Sequence, residues 1–104
     1  MGSHFSQDYS PVKNALQDPN VLVIDCRSNG EYQDGTAYEG SVNIPVGETA
    51  SRIGELGEDK NRPIITYCAV GVRAAMAADI IREKEFLHVY SVPNAGTLRK
   101  IAAR

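Results

Sequence analysis

Ile64-Ile65-Thr66-Tyr67-Cys68-Ala69-Val70-Gly71-Val72-Arg73-Ala74-Ala75 is the stretch on which the fold turns. Its first four residues are β-branched or aromatic, and a run of that kind suits a strand buried on both faces, as parallel sheets require. The run delivers one cysteine into a loop of small and β-branched residues. Helix-forming sequence starts at Val72 and continues to about Lys84, with Val72, Ala75, Met76, Ala78, Ile80 and Ile81 as its expected apolar face.

The same alternation extends outward in both directions. Upstream, Ser10-Pro11 has the form of an N-cap followed by a first-turn proline, opening a short helix to about Gln17. Val21 to Asp25 is a first apolar strand ending in an acid. Ser28 to Gly40 is loop with one helical turn at Glu31-Tyr32, and Ser41 to Pro45 is a second strand closed by proline. Glu48 to Leu56 places Ala50, Ile53 and Leu56 at helical spacing, with Gly57 able to end that helix. Downstream, Leu87 to Tyr90 is a fourth strand and Leu98 to Ala102 a last short helix. Strands alternating with helices at these lengths predict an α/β fold, a small parallel β-sheet flanked by helices on both faces. Ligands bind such sheets beyond the carboxyl ends of the strands, and Cys68 stands at one of those ends.

Bulk properties narrow the function. A chain of 104 residues with 42% hydrophobic and 23% charged residues is one ordinary globular domain. The net charge of −2 and the scattered basic residues argue against a nucleic-acid or anionic-lipid surface. No apolar run approaches the ~20 residues needed to span a bilayer. Residues 1–4, Met1-Gly2-Ser3-His4, have the character of an expression scar, leaving residues 5–104 as the domain. A cytoplasmic home is slightly favoured, with a periplasmic one open because a signal peptide can be removed in cloning. Cys26 and Cys68 are the two cysteines, and without a C-x-x-C or a His and Cys cluster they read as free thiols with no metal between them.

A strand–Cys–loop–helix unit sets sulfur over the start of a helix, where unpaired N–H groups and the positive end of the dipole favour an anion. Gly71 permits a positive φ, so that successive amides of Ala69, Val70, Gly71, Val72 and Arg73 turn inward as an anion nest. Arg73 adds a fixed positive charge. Such settings lower a cysteine pKa from ~8.5 to as little as ~3.5–7.5. Position alone leaves a second reading open, since a lone cysteine at the end of a buried strand can be a small apolar filler.

Four ordered segments resemble the rhodanese domain of the sulfurtransferase superfamily. Val23-Ile24-Asp25-Cys26-Arg27 resembles its strand ending in D-x-R. Glu31-Tyr32 with Gly40-Ser41-Val42-Asn43-Ile44-Pro45 is similar to its E-[FY] and G-A-x-N-I-P stretch. Cys68 to Ala74 resembles the active loop C-x-x-G-x-R-S, and Asn94-Ala95-Gly96-Thr97-Leu98 resembles N-A-G-G-L. The last segment is particularly like the small single-domain phage-shock rhodaneses. The resemblance implies a Cys68 thiolate that takes the outer sulfur of thiosulfate or of a persulfide donor and passes it to cyanide or a thiol. Loop residues Ala69 to Arg73 would hold the substrate, Asp25 and Arg27 would pair as scaffolding, and no metal or organic cofactor is required. The implied partners are a small-molecule sulfur donor, a thiol or cyanide acceptor and a thiol redox protein. The chain is expected to be a monomer, with no nucleic acid or membrane bound.

Departures are visible. Ala74 replaces the family's serine, Thr97 its second glycine, and Glu85 stands where a left-handed glycine is usual, at a cost of roughly 1 kcal/mol. Gly35 to Gly40 is one residue longer than the family's G-H-I-P-G and lacks the histidine. Cys26, flanked by Asp25 and Arg27 without a following glycine-rich loop, reads as core packing. Tyr32, Tyr38, Tyr67 and Tyr90 read as packing aromatics, and His88 as a polar surface position. Two other functions are weighed against sulfur transfer. Cysteine phosphatases and arsenate reductases of this fold use C-x5-R, whereas four residues separate Cys68 from Arg73 here. A non-catalytic interaction module would have no use for Cys68, Gly71 and Arg73 together.

Overall fold

The computed structural model describes residues 8–104, so the expression scar assigned to residues 1–4 lies outside the described residues. Four parallel strands form one sheet in the order β2-β1-β3-β4. They are β1 (Leu22–Asp25), β2 (Val42–Asn43), β3 (Ile64–Cys68) and β4 (Val89–Asn94). The α-helices are α1 (Ser10–Leu16), α2 (Asn29–Glu31), α3 (Val72–Glu83) and α4 (Ala95–Ala102). β1 and β3 pair from Leu22↔Ile64 through Asp25↔Tyr67, which brings the acid at the end of one central strand beside the last residues of the other.

The two-residue period of the strands sorts their side chains into two cores. Ile24, Cys26, Ile64 and Cys68 face α3, where they meet Ala74, Ala77, Ala78 and Ile81. Val23, Ile65, Tyr67 and Val92 face the opposite side, where Val12 and Ala15 of α1 join Leu98 and Ile101 of α4. Helices therefore cover both faces, as the apolar strands demand. Cys68 lies on the α3 face and Tyr67 on the α4 face, a division that organises the site.

Several local expectations are corrected. The segment from Glu48 to Leu56 is not one α-helix but two 3-10 turns, Val46–Glu48 and Ile53–Leu56. Gly47, Ser51 and Gly54 are poor helix formers, Ala50 is exposed, and only Leu56 is fully buried there. The inward face of α3 is rotated from the one predicted. Ala74, Ala77, Ala78 and Ile81 are buried, whereas Val72 and Met76 are 64% and 53% exposed. Small alanines let α3 approach the sheet closely, and that proximity outweighs burying the larger side chains.

The turn at Glu31-Tyr32 is longer than expected, with a π-type turn over Tyr32–Thr36 bent at Gly35, whose φ is +93°. The fourth strand begins later and runs further than predicted, because Leu87 and His88 are exposed and precede it. It accommodates Pro93 as an edge strand can. α4 opens at Ala95, with the Asn94 side chain accepting a hydrogen bond from the Thr97 N–H at 2.8 Å. Ser10 is the first helical residue of α1 rather than its cap, and Asp8 Oδ1 accepts from its N–H at 2.9 Å. Glu85 does adopt the left-handed backbone anticipated for it, at φ +71°.

Candidate active site

The carboxyl ends of β1, β3 and β4 meet in one shallow cleft. Cys68 closes β3, and the chain must reverse within three residues to enter α3. Gly71 makes that possible with φ +108°, a left-handed angle costly for a residue with a side chain. The turn swings backbone N–H groups toward sulfur. Gly71 N–H donates to Cys68 Sγ at 3.0 Å and Ala74 N–H at 3.4 Å. Burial alone would push the Cys68 thiol up, but the amides of Ala74, Gly71, Val70 and Arg73 more than offset it, and its pKa falls below the ordinary thiol value.

Among the five loop residues predicted from sequence, Val70, Gly71 and Arg73 thus direct amides at sulfur, and Ala69 lines the cleft. The side chains of Val70 and Val72 face solvent. Ala74, outside the predicted set, supplies the amide that counts most. Its own carbonyl is held by Thr66 Oγ1 at 2.8 Å, a bond from the adjoining strand that fixes the start of α3.

Cys26 behaves oppositely although it shares the same face. Buried and lacking donors aimed at its sulfur, it is pushed up to about 12, first by burial and then by the neighbouring Cys68 and Asp25 charges. Two thiols on one face therefore differ in state because only one stands over a helix start.

Beneath the cleft lies a buried polar network. Asp25 accepts from Arg27 Nε at 3.1 Å to each carboxylate oxygen and from Nη2 at 2.9 Å, with the Arg27 backbone N–H at 2.9 Å. The pairing expected of Asp25 and Arg27 is present. Tyr67, read from sequence as a packing aromatic, belongs to the same network. Its hydroxyl donates to Asp25 Oδ2 at 2.9 Å and accepts from Tyr38 N–H at 2.8 Å. Asn43 Nδ2 donates to the carbonyls of Asp25 and Arg27, tying the end of β2 to that of β1. Only the strand register could reveal these partners, since they are far apart in sequence.

Arg73 leaves the start of α3 toward α2 rather than into the cleft. Its Nη1 and Nη2 donate to Glu31 Oε1 and Oε2 at 2.8 and 3.1 Å. Arg73 and then Ser28 hold the Glu31 carboxyl at about 2. Ser28 and Glu31 form a reciprocal capping box, and that S-x-x-E spacing is a signal the sequence does carry.

The cleft itself has a volume of about 230 Å³ and is lined by Arg27, Thr36, Cys68, Ala69, Asn94, Ala95, Gly96 and Arg99. Cys68 is only 2% exposed, so its sulfur meets solvent through a narrow opening. Among the described residues no group of His, Cys, Asp and Glu side chains is arranged to hold a metal ion, and no helix is long and apolar enough to cross a membrane.

Comparison with known proteins agrees with this geometry. The family model described as Rhodanese-like domain matches residues 8–95. A rhodanese with anions from E. coli is 30% identical, with a TM-score of 0.67 over 73% of this chain and 88% of that one. The rhodanese-like domain of an Anabaena protein superposes with a TM-score of 0.70 at 23% identity, over 92% of this chain and 74% of that one, a likeness of fold. A curated relative, the tRNA uridine(34) hydroxylase of Buchnera aphidicola, is 32% identical over 85 residues, which is 78% of this chain and 27% of that protein. A Yersinia pestis protein of the same name is 28% identical over 78% of this chain and 24% of its own length. The chain spans about a quarter of the length of these curated relatives.

Proposed function

Because the chain belongs to the rhodanese-like domain family, we propose that it is a sulfurtransferase working through a persulfide on Cys68. The observation that carries the proposal is the ring of backbone amides on Sγ, with Gly71 and Ala74 at 3.0 and 3.4 Å, which lowers the thiol pKa. A resting thiolate needs no general base. In the first half-reaction its electron pair attacks the outer sulfur of thiosulfate, or the terminal sulfur of a persulfide donor. The new Sγ–S bond forms as the donor's S–S bond breaks, and its electron pair leaves with sulfite or with the donor thiolate. In the second, cyanide or a thiolate attacks the terminal sulfur, and Cys68 leaves as thiolate again, giving ping-pong turnover.

The amides serve both halves. They stabilise the thiolate that attacks and departs, and they stand ready to bind negative charge on the persulfide between the two steps. Asp25, Arg27 and Tyr67 act beneath, fixing the strand ends from which the loop springs. Arg73 contributes its amide and positive charge at the loop edge. That an E. coli relative was solved with anions supports a cleft of this kind. The tRNA-directed name of the curated relatives belongs to proteins about four times as long and is not carried over to this chain.

Intact mass after incubation with thiosulfate, and separately with an alkyl persulfide, tests the proposal. The expected result is a gain equal to one sulfur atom, mapped to Cys68, reversed by thiols and absent from Cys68→Ser. Failure of both donors to add sulfur to the unmodified protein refutes sulfur transfer, and turnover of p-nitrophenyl phosphate at a rate comparable with thiosulfate favours the phosphatase reading instead.

A further inference from the structure

Two guanidiniums line the cleft that leads to Cys68, and they differ in charge balance. Arg27 is buried, and Asp25 engages its Nε and Nη2 while Nη1 donates to Thr36 Oγ1 at 2.9 Å. Its charge is cancelled and most of its donors are occupied. Arg99, on α4, is different. Its Nη2 donates to the backbone carbonyls of Thr36 and Ala37 at 3.2 and 2.9 Å. Those carbonyls fix the guanidinium over the cleft without neutralising it. Among the described residues no carboxylate lies within ion-pair distance of Arg99.

The other cation near sulfur, Arg73, is matched by Glu31 and does not line the cleft. The opposite wall is Asn94, Ala95 and Gly96, the opening turn of the eight-residue α4. Asn94 Oδ1 takes the Thr97 N–H, while the N–H groups of Ala95 and Gly96 have no partner within the helix. One uncompensated guanidinium thus faces a helix start across a cleft with a nucleophilic sulfur in its wall.

We infer that this cleft is an anion subsite in which Arg99 holds the charged head of a small sulfur donor while its outer sulfur meets Cys68, making Arg99 a specificity-determining residue. The inference rests on the sulfur-transfer reading above for its biological meaning. The chemical class is a low-molecular-weight donor with a sulfonate or carboxylate close to its transferable sulfur. A volume of about 230 Å³ falls below the ~300–1,000 Å³ of pockets for drug-sized ligands. An ion of a few heavy atoms suits that space.

Alkylation of Cys68 by iodoacetate, an anion, and by iodoacetamide, its uncharged analogue, tests the subsite without requiring sulfur transfer. The ratio of the two rates cancels changes in thiol ionisation and reports attraction of negative charge to the cleft. Arg99→Gln should lower that ratio about five-fold, the effect of one unit charge at about 4 Å in a solvated site. Arg99→Lys should keep most of it, and added salt should lower the wild-type ratio toward that of Arg99→Gln. In turnover, Arg99→Gln should lose more kcat/KM on thiosulfate than on an uncharged alkyl persulfide. An unchanged ratio in Arg99→Gln, or an equal fall in Arg99→Lys, overturns the assignment. If the wild-type protein shows the anion preference but takes no sulfur from either donor, the proposed function fails and the subsite stands; the reverse pattern removes the subsite alone.

Discussion

Replacing Gly71 with alanine isolates the amide ring from the rest of the site. At φ +108° an alanine pays about 1–2 kcal/mol for left-handed backbone. Its Cβ would stand 3.4 Å from Pro93 Cα, an ordinary contact that adds no clash. The cost is therefore conformational, and the loop can shed it by rotating to negative φ, which turns the Gly71 amide away from Sγ. When Cys68 is a thiol, little opposes that relaxation. When it is a thiolate, the loop either keeps the strain or gives up a charge-assisted hydrogen bond of ~1.5–3 kcal/mol. The smaller penalty, about 1–2 kcal/mol, sets the rise in thiol pKa, roughly one pH unit at about 1.4 kcal/mol per unit. The assay is the pH dependence of iodoacetamide alkylation at Cys68, whose midpoint in the wild type lies below the ordinary thiol value and should move up in Gly71→Ala. Gly57→Ala is the control, because Gly57 has φ +87° but belongs to the 3-10 turn before β3. It should lose stability without moving the midpoint. If Gly71→Ala loses comparable stability and its midpoint stays at the wild-type position, the amides do not hold the thiolate.

Other expectations follow from the same geometry. Asp25→Asn leaves the Arg27 guanidinium buried with its charge unpaired, and urea titration should show a loss of ~3–5 kcal/mol, partly recovered in Asp25→Leu/Arg27→Met; a loss below about 1 kcal/mol contradicts the buried pair. The Glu31 carboxyl should titrate near 2 by NMR and move back toward 4.5 in Arg73→Gln. Since its folded pKa lies below the unfolded one, the stability that Glu31 contributes is present above about 4.5 and is lost as pH falls through about 2. Glu85→Gly should raise stability by about 1 kcal/mol, or ~4–8 °C in Tm, by relieving the left-handed backbone at φ +71°. No gain in thermal denaturation would mean that contacts of the Glu85 side chain repay its strain.

The repeating pattern of apolar strand and helix was readable because a buried parallel strand has little choice but to be continuously apolar, as Val21 to Asp25 and Ile64 to Tyr67 are. Gly71 and Glu85 were legible for a related reason, since each sits where the chain must reverse at a helix end. The helix over Glu48 to Leu56 was misjudged because three apolar residues at the right spacing say nothing of the glycines between them. The face of α3 was misjudged because hydrophobicity ranks Val72 and Met76 above alanine, whereas close packing on a sheet prefers the smaller residue.

Local order along the chain thus determined the strands, the cysteine at a strand end, the glycine that turns the loop and the helix that follows, because each depends on neighbours a few residues away. Tertiary structure alone decided which charges meet. Register set Tyr67 beside Asp25, α2 took the Arg73 guanidinium onto Glu31, and α4 brought Arg99 over the cleft with its charge uncancelled. Coulombic partnership depends on distance in space, which the spacing of residues in a sequence does not encode.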